Sequence, residues 1–147
     1  MKISIGSDHA GFQYKERIVA YLKELGHQVI DVGTHNSDST DYPLYIIPAA
    51  EAVIKGEAER GIVVGGSGNG EAMAANKVKG IRCALCWNDE TAEYSRLHNN
   101  SNVLSIGQRM VSIEIALRII RIWLETPFAG GRHQRRIDEI DRYEMRS

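Results

Sequence analysis

Residues 61–77 read GIVVGGSGNGEAMAANK. A short β-branched run passes through four glycines in six residues, Gly65 to Gly70, and enters a segment of helix formers that begins near Asn69. Strand, glycine loop and helix in direct succession predict half of a β-α-β unit, with the loop at the carboxyl end of its strand. There, backbone N–H groups converge at a helix N-terminus with no side chain in the way, a ready site for an anion. A merely Gly-rich tight turn is the plainer alternative.

Neither familiar nucleotide-phosphate pattern is matched here. A Walker loop needs G-x-x-x-x-G-K-[ST], and no Lys-Ser or Lys-Thr is present. The dinucleotide fingerprint is G-x-G-x-x-G after the first strand, whereas Gly66, Gly68 and Gly70 give G-x-G-x-G after the third. The charged residue that follows, Glu71, has the wrong sign for a standing phosphate. It suits a general base beside an oxyanion that forms only during reaction.

Working outward, four more apolar runs flank this unit: KISIG (2–6), QVIDVG (28–33), IRCALCW (81–87) and NVLSIG (102–107). With 61–66 they predict five parallel strands buried on both faces. Helix-length segments fill the gaps at 12–25, 43–56, 69–79, 89–98 and 111–125. In the first of these Ile18, Val19, Leu22 and Leu25 share a face, and Gly26 supplies the C-cap. The alternation predicts an α/β fold, a three-layer sandwich with helices on both faces of one sheet. All 147 residues are read as a single domain. After Pro127 the chain turns polar, and a Gly-Gly turn leads into a charged helix with Ile137, Ile140 and Tyr143 as its apolar contacts. This tail, 128–147, is expected to lie across the surface or to dock on a partner subunit.

Composition narrows the function classes. Formal net charge is −1 with no long run of one sign, so neither nucleic acid nor a membrane surface is an expected partner. The N-terminus lacks a signal-peptide core and no stretch of about 18 apolar residues occurs, so a cytoplasmic location is expected. Cys83 and Cys86 form C-x-x-C. They lie in a strand that points them to opposite faces, and no second Cys/His pair has zinc-finger spacing.

Ligands of a parallel sheet gather at the carboxyl ends of its strands. Ser7-Asp8-His9 ends the first run; Asp8 and His9 can move protons between oxygens, and a cationic His9 can hold a phosphate, although Asp8 could equally be a simple helix cap. His98, Asn99 and Asn100 precede the fifth strand and Arg109 follows it, a set that also reads as a helix end and turn. Arg132 and Arg136 lie four apart on one face of the tail helix, able to fork a phosphate or, with Asp138, Glu139 and Asp141 beside them, to form a solvated face. His27 and His35 read as surface residues. A receiver-type signalling domain needs Asp at the end of the third strand and Lys after the fifth; Gly65 and Gln108-Arg109 stand there instead.

Taken together, SDHAGF, TDYP, GGSGNGEAMAANK, RLHNNSNVLSIGQR and GGRHQRRI resemble, in order and over nearly the whole chain, the type-B ribose-5-phosphate isomerases, a family that also holds the galactose-6-phosphate isomerase subunits. The resemblance implies a metal-free and cofactor-free aldose-ketose isomerase working through an enediolate. It implies a Rossmann-like sheet of order 2-1-3-5-4 and a homodimer, or a pair of dimers, with shared active sites. By the same resemblance Asp8 and His98 open the sugar ring, with His98 coming from the neighbouring subunit. Gly66, Ser67, Gly68, Asn69 and Gly70 form the enediolate-stabilising loop, with Ser67 helping to move the proton between sugar oxygens. His9, Arg109, Arg132 and Arg136 match phosphate-binding positions, and Tyr42 and Asn99 line the sugar.

Many members carry C-G-T-G at this loop and use the cysteine as base. Here Gly65 occupies the cysteine position, and the chain resembles the branch that carries glutamate one helical turn later, at Glu71. Ribose 5-phosphate and ribulose 5-phosphate are the expected substrate pair. A tetrulose phosphate, allose 6-phosphate or galactose 6-phosphate is the alternative, and a non-catalytic nucleotide-binding or receiver-like module the reading from another class.

Overall fold

The computed structural model describes residues 1–146. Five strands, β1 (Lys2–Ser7), β2 (Gln28–Asp31), β3 (Arg60–Gly65), β4 (Cys83–Leu85) and β5 (Val103–Gly107), form one sheet in the order β2-β1-β3-β5-β4. Every pairing is parallel, with Ile5 beside Ile62 and Ile62 beside Leu104 in register. Period-2 alternation splits the strand side chains between two cores. Ile3, Ile5, Ile62, Val64, Leu104 and Ile106 pack with α1 (Phe12–Glu24), α4 (Asp89–Leu97) and α5 (Ile113–Glu125). Val63 and Val103 pack on the other face with α2 (Pro43–Ile54) and α3 (Asn69–Asn76). Burying each such side chain contributes roughly 1.5–3 kcal/mol, which makes the three central strands the stable frame of the molecule.

Several boundaries and exposures differ from the sequence reading. The edge strands β2 and β4 are only half-buried, because each has a neighbour on one side alone. Leu25 is exposed at the end of α1, past the last turn that touches the sheet. Helix α3 stops at Asn76 because the next amides, Lys77 and Val78, tighten into turns onto Ala74 and Ala75. Helix α5 starts at Ile113, where the Ser112 hydroxyl accepts a hydrogen bond from the Ile115 amide. His27 is half-buried, its Nδ1 2.9 Å from the N-terminal amine.

The tail forms α6 (Arg132–Glu144). Only Ile137 is buried along it, while Ile140 and Tyr143 stay exposed. No helix among the described residues is long and apolar enough to cross a membrane.

Candidate active site

Parallel strands bring the loops after β1, β2, β3 and β5 to one edge of the sheet, and hydrogen bonds lock these loops together. The Ser7 amide donates to Gly33 O (2.8 Å) and the Thr34 amide to Ser7 O (2.9 Å). The Gln108 and Arg109 amides donate to Gly65 O and Gly66 O (2.8 and 2.9 Å), and the buried Ser105 hydroxyl donates to Gly68 O (2.7 Å). Gly68 has φ +84, a left-handed turn packed so closely on Leu85 and the Gly107 amide that a Cβ would collide. Only glycine meets both conditions.

Asp8, His9, Tyr42, Ser67 to Gly70, Glu71 and Arg109 all gather here. The buried Asp8 carboxylate accepts from the Gly11 amide at 3.1 Å and caps a 3-10 turn over His9–Gly11. It therefore does what the plain reading expected while also lying close enough to Glu71 to act on it electrostatically. His9 Nδ1 lies 3.1 Å from the Thr40 amide nitrogen and 3.3 Å from the Thr40 carbonyl oxygen, so Thr40 holds the ring through one nitrogen. The Arg109 guanidinium lies over Gly66, and the Tyr42 ring lies against Gly70. The Ser67 hydroxyl accepts from the Asn69 amide at 3.2 Å.

Glu71 is the third residue of α3, whose N-cap Gly68 has no side chain to satisfy the helix start. Its carboxylate lies near the Gly68 amide and its own, and both favour the charged form. The side chain is buried. Burial pushes this carboxyl above the ordinary glutamate value, its own N–H opposes, the Asp8 charge adds to the rise and the Gly68 N–H opposes again. A side-chain carbon placed at Gly65 would fall inside the Glu71 carboxyl group. The carboxylate thus occupies the space that a residue-65 side chain would take.

The remaining predicted residues lie elsewhere. Helix α4 runs from the carboxyl end of β4 back to the amino end of β5, which carries His98 and Asn99 to the opposite edge. About 17 Å, the length of a five-residue strand, separates the two edges. The His98 ring stacks on His133 of α6, whose neighbours Arg132 and Arg136 are exposed. Two arginines frame this turn: Arg82 donates to Asn99 O and Asn100 O (both 3.0 Å), and the buried Arg96 to Asn100 Oδ1 (2.8 Å) and Ser101 O (2.6 Å). They hold Asn100 at φ 45.

With these two clusters in view, comparison with known proteins is decisive. Residues 3–140 match the family model described as Ribose/Galactose Isomerase. The chain belongs to the ribose/galactose isomerase family. Relatives of this member include the ribose-5-phosphate isomerase B of Mycolicibacterium paratuberculosis, 49% identical over 98% of this chain and 92% of that one. The ribose-5-phosphate isomerase B structure from Clostridium thermocellum superposes with a TM-score of 0.98 at 49% identity, covering 99% of each chain. That from Mycoplasma genitalium, with bound ribulose-5-phosphate, superposes at 0.95 with 40% identity, over 99% of this chain and 97% of the other.

Sequence reasoning passed over several residues that shape the site of this family member. Lys15 is fully buried, its Nζ 2.7 Å from Asp31 and 2.9 Å from Glu16. Asp31 in turn accepts from the Gly33 amide (3.0 Å), so the pair anchors the loop that reaches Ser7 and His9. The signal was legible: a lysine on the same helical face as Ile18 and Leu22, where a core residue belongs. Arg82, Arg96 and His133 left no comparable trace: Arg82 and His133 meet partners remote in sequence, and Arg96, whose bonds to Asn100 and Ser101 are local, is buried only by the fold. A hollow of about 450 Å³ between the end of α3 and α6 touches none of the predicted site residues. A smaller one of about 110 Å³ opens beside Ser67 and Asn69. Among the described residues no group of three or more His, Cys, Asp or Glu side chains is placed to hold a metal ion.

Cys83 and Cys86 pack on opposite faces, one against each core. Burial pushes the Cys86 thiol up to about 11 and the Cys83 thiol up as well. Neither forms thiolate at neutral pH, so a thiol reagent at pH 7 is expected to leave turnover unchanged. Mass spectrometry of the treated protein checks the labelling alongside the assay.

Proposed function

We propose that this chain is an aldose-ketose isomerase that interconverts ribose 5-phosphate and ribulose 5-phosphate through an enediolate, with Glu71 as the base. The observation that carries the reading is the Glu71 carboxylate, which fills the space beside Gly65 at the mouth of the glycine loop. The family's cysteine base would stand at that position. Its raised proton affinity suits a group that must take a proton from carbon and give it back.

The step balances as follows. Glu71 removes the C2 proton of the open-chain aldose, the C–H electron pair becomes the C1=C2 bond, and the carbonyl electrons move onto O1. Amides of the Gly66–Gly70 loop stabilise that oxyanion, at about 3 kcal/mol for each well-placed donor. Ser67 passes the hydroxyl proton from O2 to O1, and protonated Glu71 returns its proton to C1. Before this, Asp8 accepts the proton of the anomeric hydroxyl as the ring C–O bond breaks, and His98 protonates the ring oxygen. His9, Arg109, Arg132 and Arg136 hold the phosphate, and Tyr42 and Asn99 line the sugar.

One chain keeps Asp8 and His98 a strand length apart, so the working unit in this reading is a homodimer, alone or paired into a tetramer. Each site then takes His98, Asn99, Arg132 and Arg136 from the second copy, and the tail 128–147 docks on the partner. The function is tested by assaying four-, five- and six-carbon aldose phosphates. Ribose 5-phosphate is expected to show the highest kcat/KM. Faster turnover of a six-carbon phosphate, or no isomerisation of any, would overturn the assignment.

A further inference from the structure

Three aromatic rings stand in a row at the amino edge of the sheet. The Tyr94 and His98 centroids are 5.0 Å apart with planes inclined by 27°, and those of His98 and His133 are 4.3 Å apart with planes inclined by 14°. Tyr94 lies one turn before His98 on the same chain segment, so their approach is local. His133 comes from α6, 35 positions later, and its contact is tertiary. Two stacked rings at these distances cannot share one face, so His98 is the middle ring. His98 itself is the C-cap of α4, where no further turn of helix packs against its side chain.

We propose that His133 is a positioning residue for sugar-ring opening: stacked on His98, it fixes the plane of that imidazole and leaves only its nitrogen-bearing edge free to reach the ring oxygen. The inference rests on the reading of His98 as the ring-opening acid. Tyr94 from α4 and Arg132, His133 and Arg136 from α6 are the groups that face His98 and its neighbour ring. Lost hydration, and then the positive charges of His98, Arg132 and Arg136, hold His133 below the usual histidine value.

Ring opening can be separated from proton abstraction. Ribulose 5-phosphate is open-chain because its O5 carries the phosphate. Incorporation of deuterium from D2O at its C1 therefore reports on the base alone, whereas net turnover of ribose 5-phosphate needs the ring opened as well. His133→Ala is expected to lower kcat for ribose 5-phosphate about tenfold, the cost of a displaced catalytic group, with C1 exchange near the wild-type rate. His133→Phe keeps the stack without a titrating group and is expected to recover most of kcat. Wild-type kcat in His133→Ala, a rise in KM alone, loss of exchange in step with turnover, or failure of His133→Phe to recover would each overturn the proposal. His98→Ala is the reference: its full turnover would bring down the underlying reading as well, whereas its impairment beside a fully active His133→Ala would bring down this proposal only.

Discussion

Glu71→Gln lowers kcat by about three orders of magnitude with substrate affinity nearly kept, since general-base catalysis accounts for roughly 10²–10⁴ in rate. The isostere retains an oxygen that can accept from the Gly68 amide, so the helix start survives and only the proton acceptor is lost. In the wild type, kcat/KM should rise with pH through the raised value of the Glu71 carboxyl, so its acid limb lies above the ordinary glutamate value of 4.5. Stability has the opposite sign. The folded state binds the proton more tightly than the unfolded one, so this contribution is full below the ordinary value and is lost as pH rises through the folded one. Glu71→Gln should therefore gain stability relative to wild type between pH 4 and pH 8. Thermal melts at both pH values and steady-state kinetics check the two halves; near-normal turnover would remove Glu71 as the base.

Gly65→Ala is expected to be nearly as damaging, although it adds a single carbon. That carbon falls inside the Glu71 carboxyl group, the far end of a flexible side chain, which must swing aside to make room. The displaced carboxylate no longer faces the substrate carbon, and turnover should fall by about 10²-fold. The second site decides the cause. If the two groups contest one volume, Gly65→Ala combined with Glu71→Ala is more stable than the sum of the single changes. Simple additivity in denaturant melts would show that they do not.

The residues at the carboxyl edge were legible because loops of a parallel sheet inherit their place from the strand they follow. Asp8, the Gly66–Gly70 loop, Glu71 and Arg109 could be assembled from five apolar runs and the rule that strand ends converge. The proton affinity of Glu71 could not be read in the same way. Burial and helix-start amides pull it in opposite directions, and the balance, raised, depends on how closely the loop closes over the carboxylate. Lys15 left a visible mark as a charge on an apolar helix face, yet its use became clear only with Asp31 and the Gly33 amide beside it.

From the amino-acid sequence alone follow the alternation of strand and helix, the glycine loop opening α3, the absence of a nucleotide fingerprint and the inert setting of Cys83 and Cys86. Each rests on periodicity or local chain geometry, which a few neighbouring residues determine. The resemblance of five motifs added the sheet order. Only the tertiary structure decided that the Glu71 carboxylate fills the space at Gly65, and that His98 and Asn99 sit with His133, Arg82 and Arg96 at the edge away from Asp8. The first depends on how the loop closes between β3 and α3 and the second on contacts across the fold, and both exist only once strands and helices have packed.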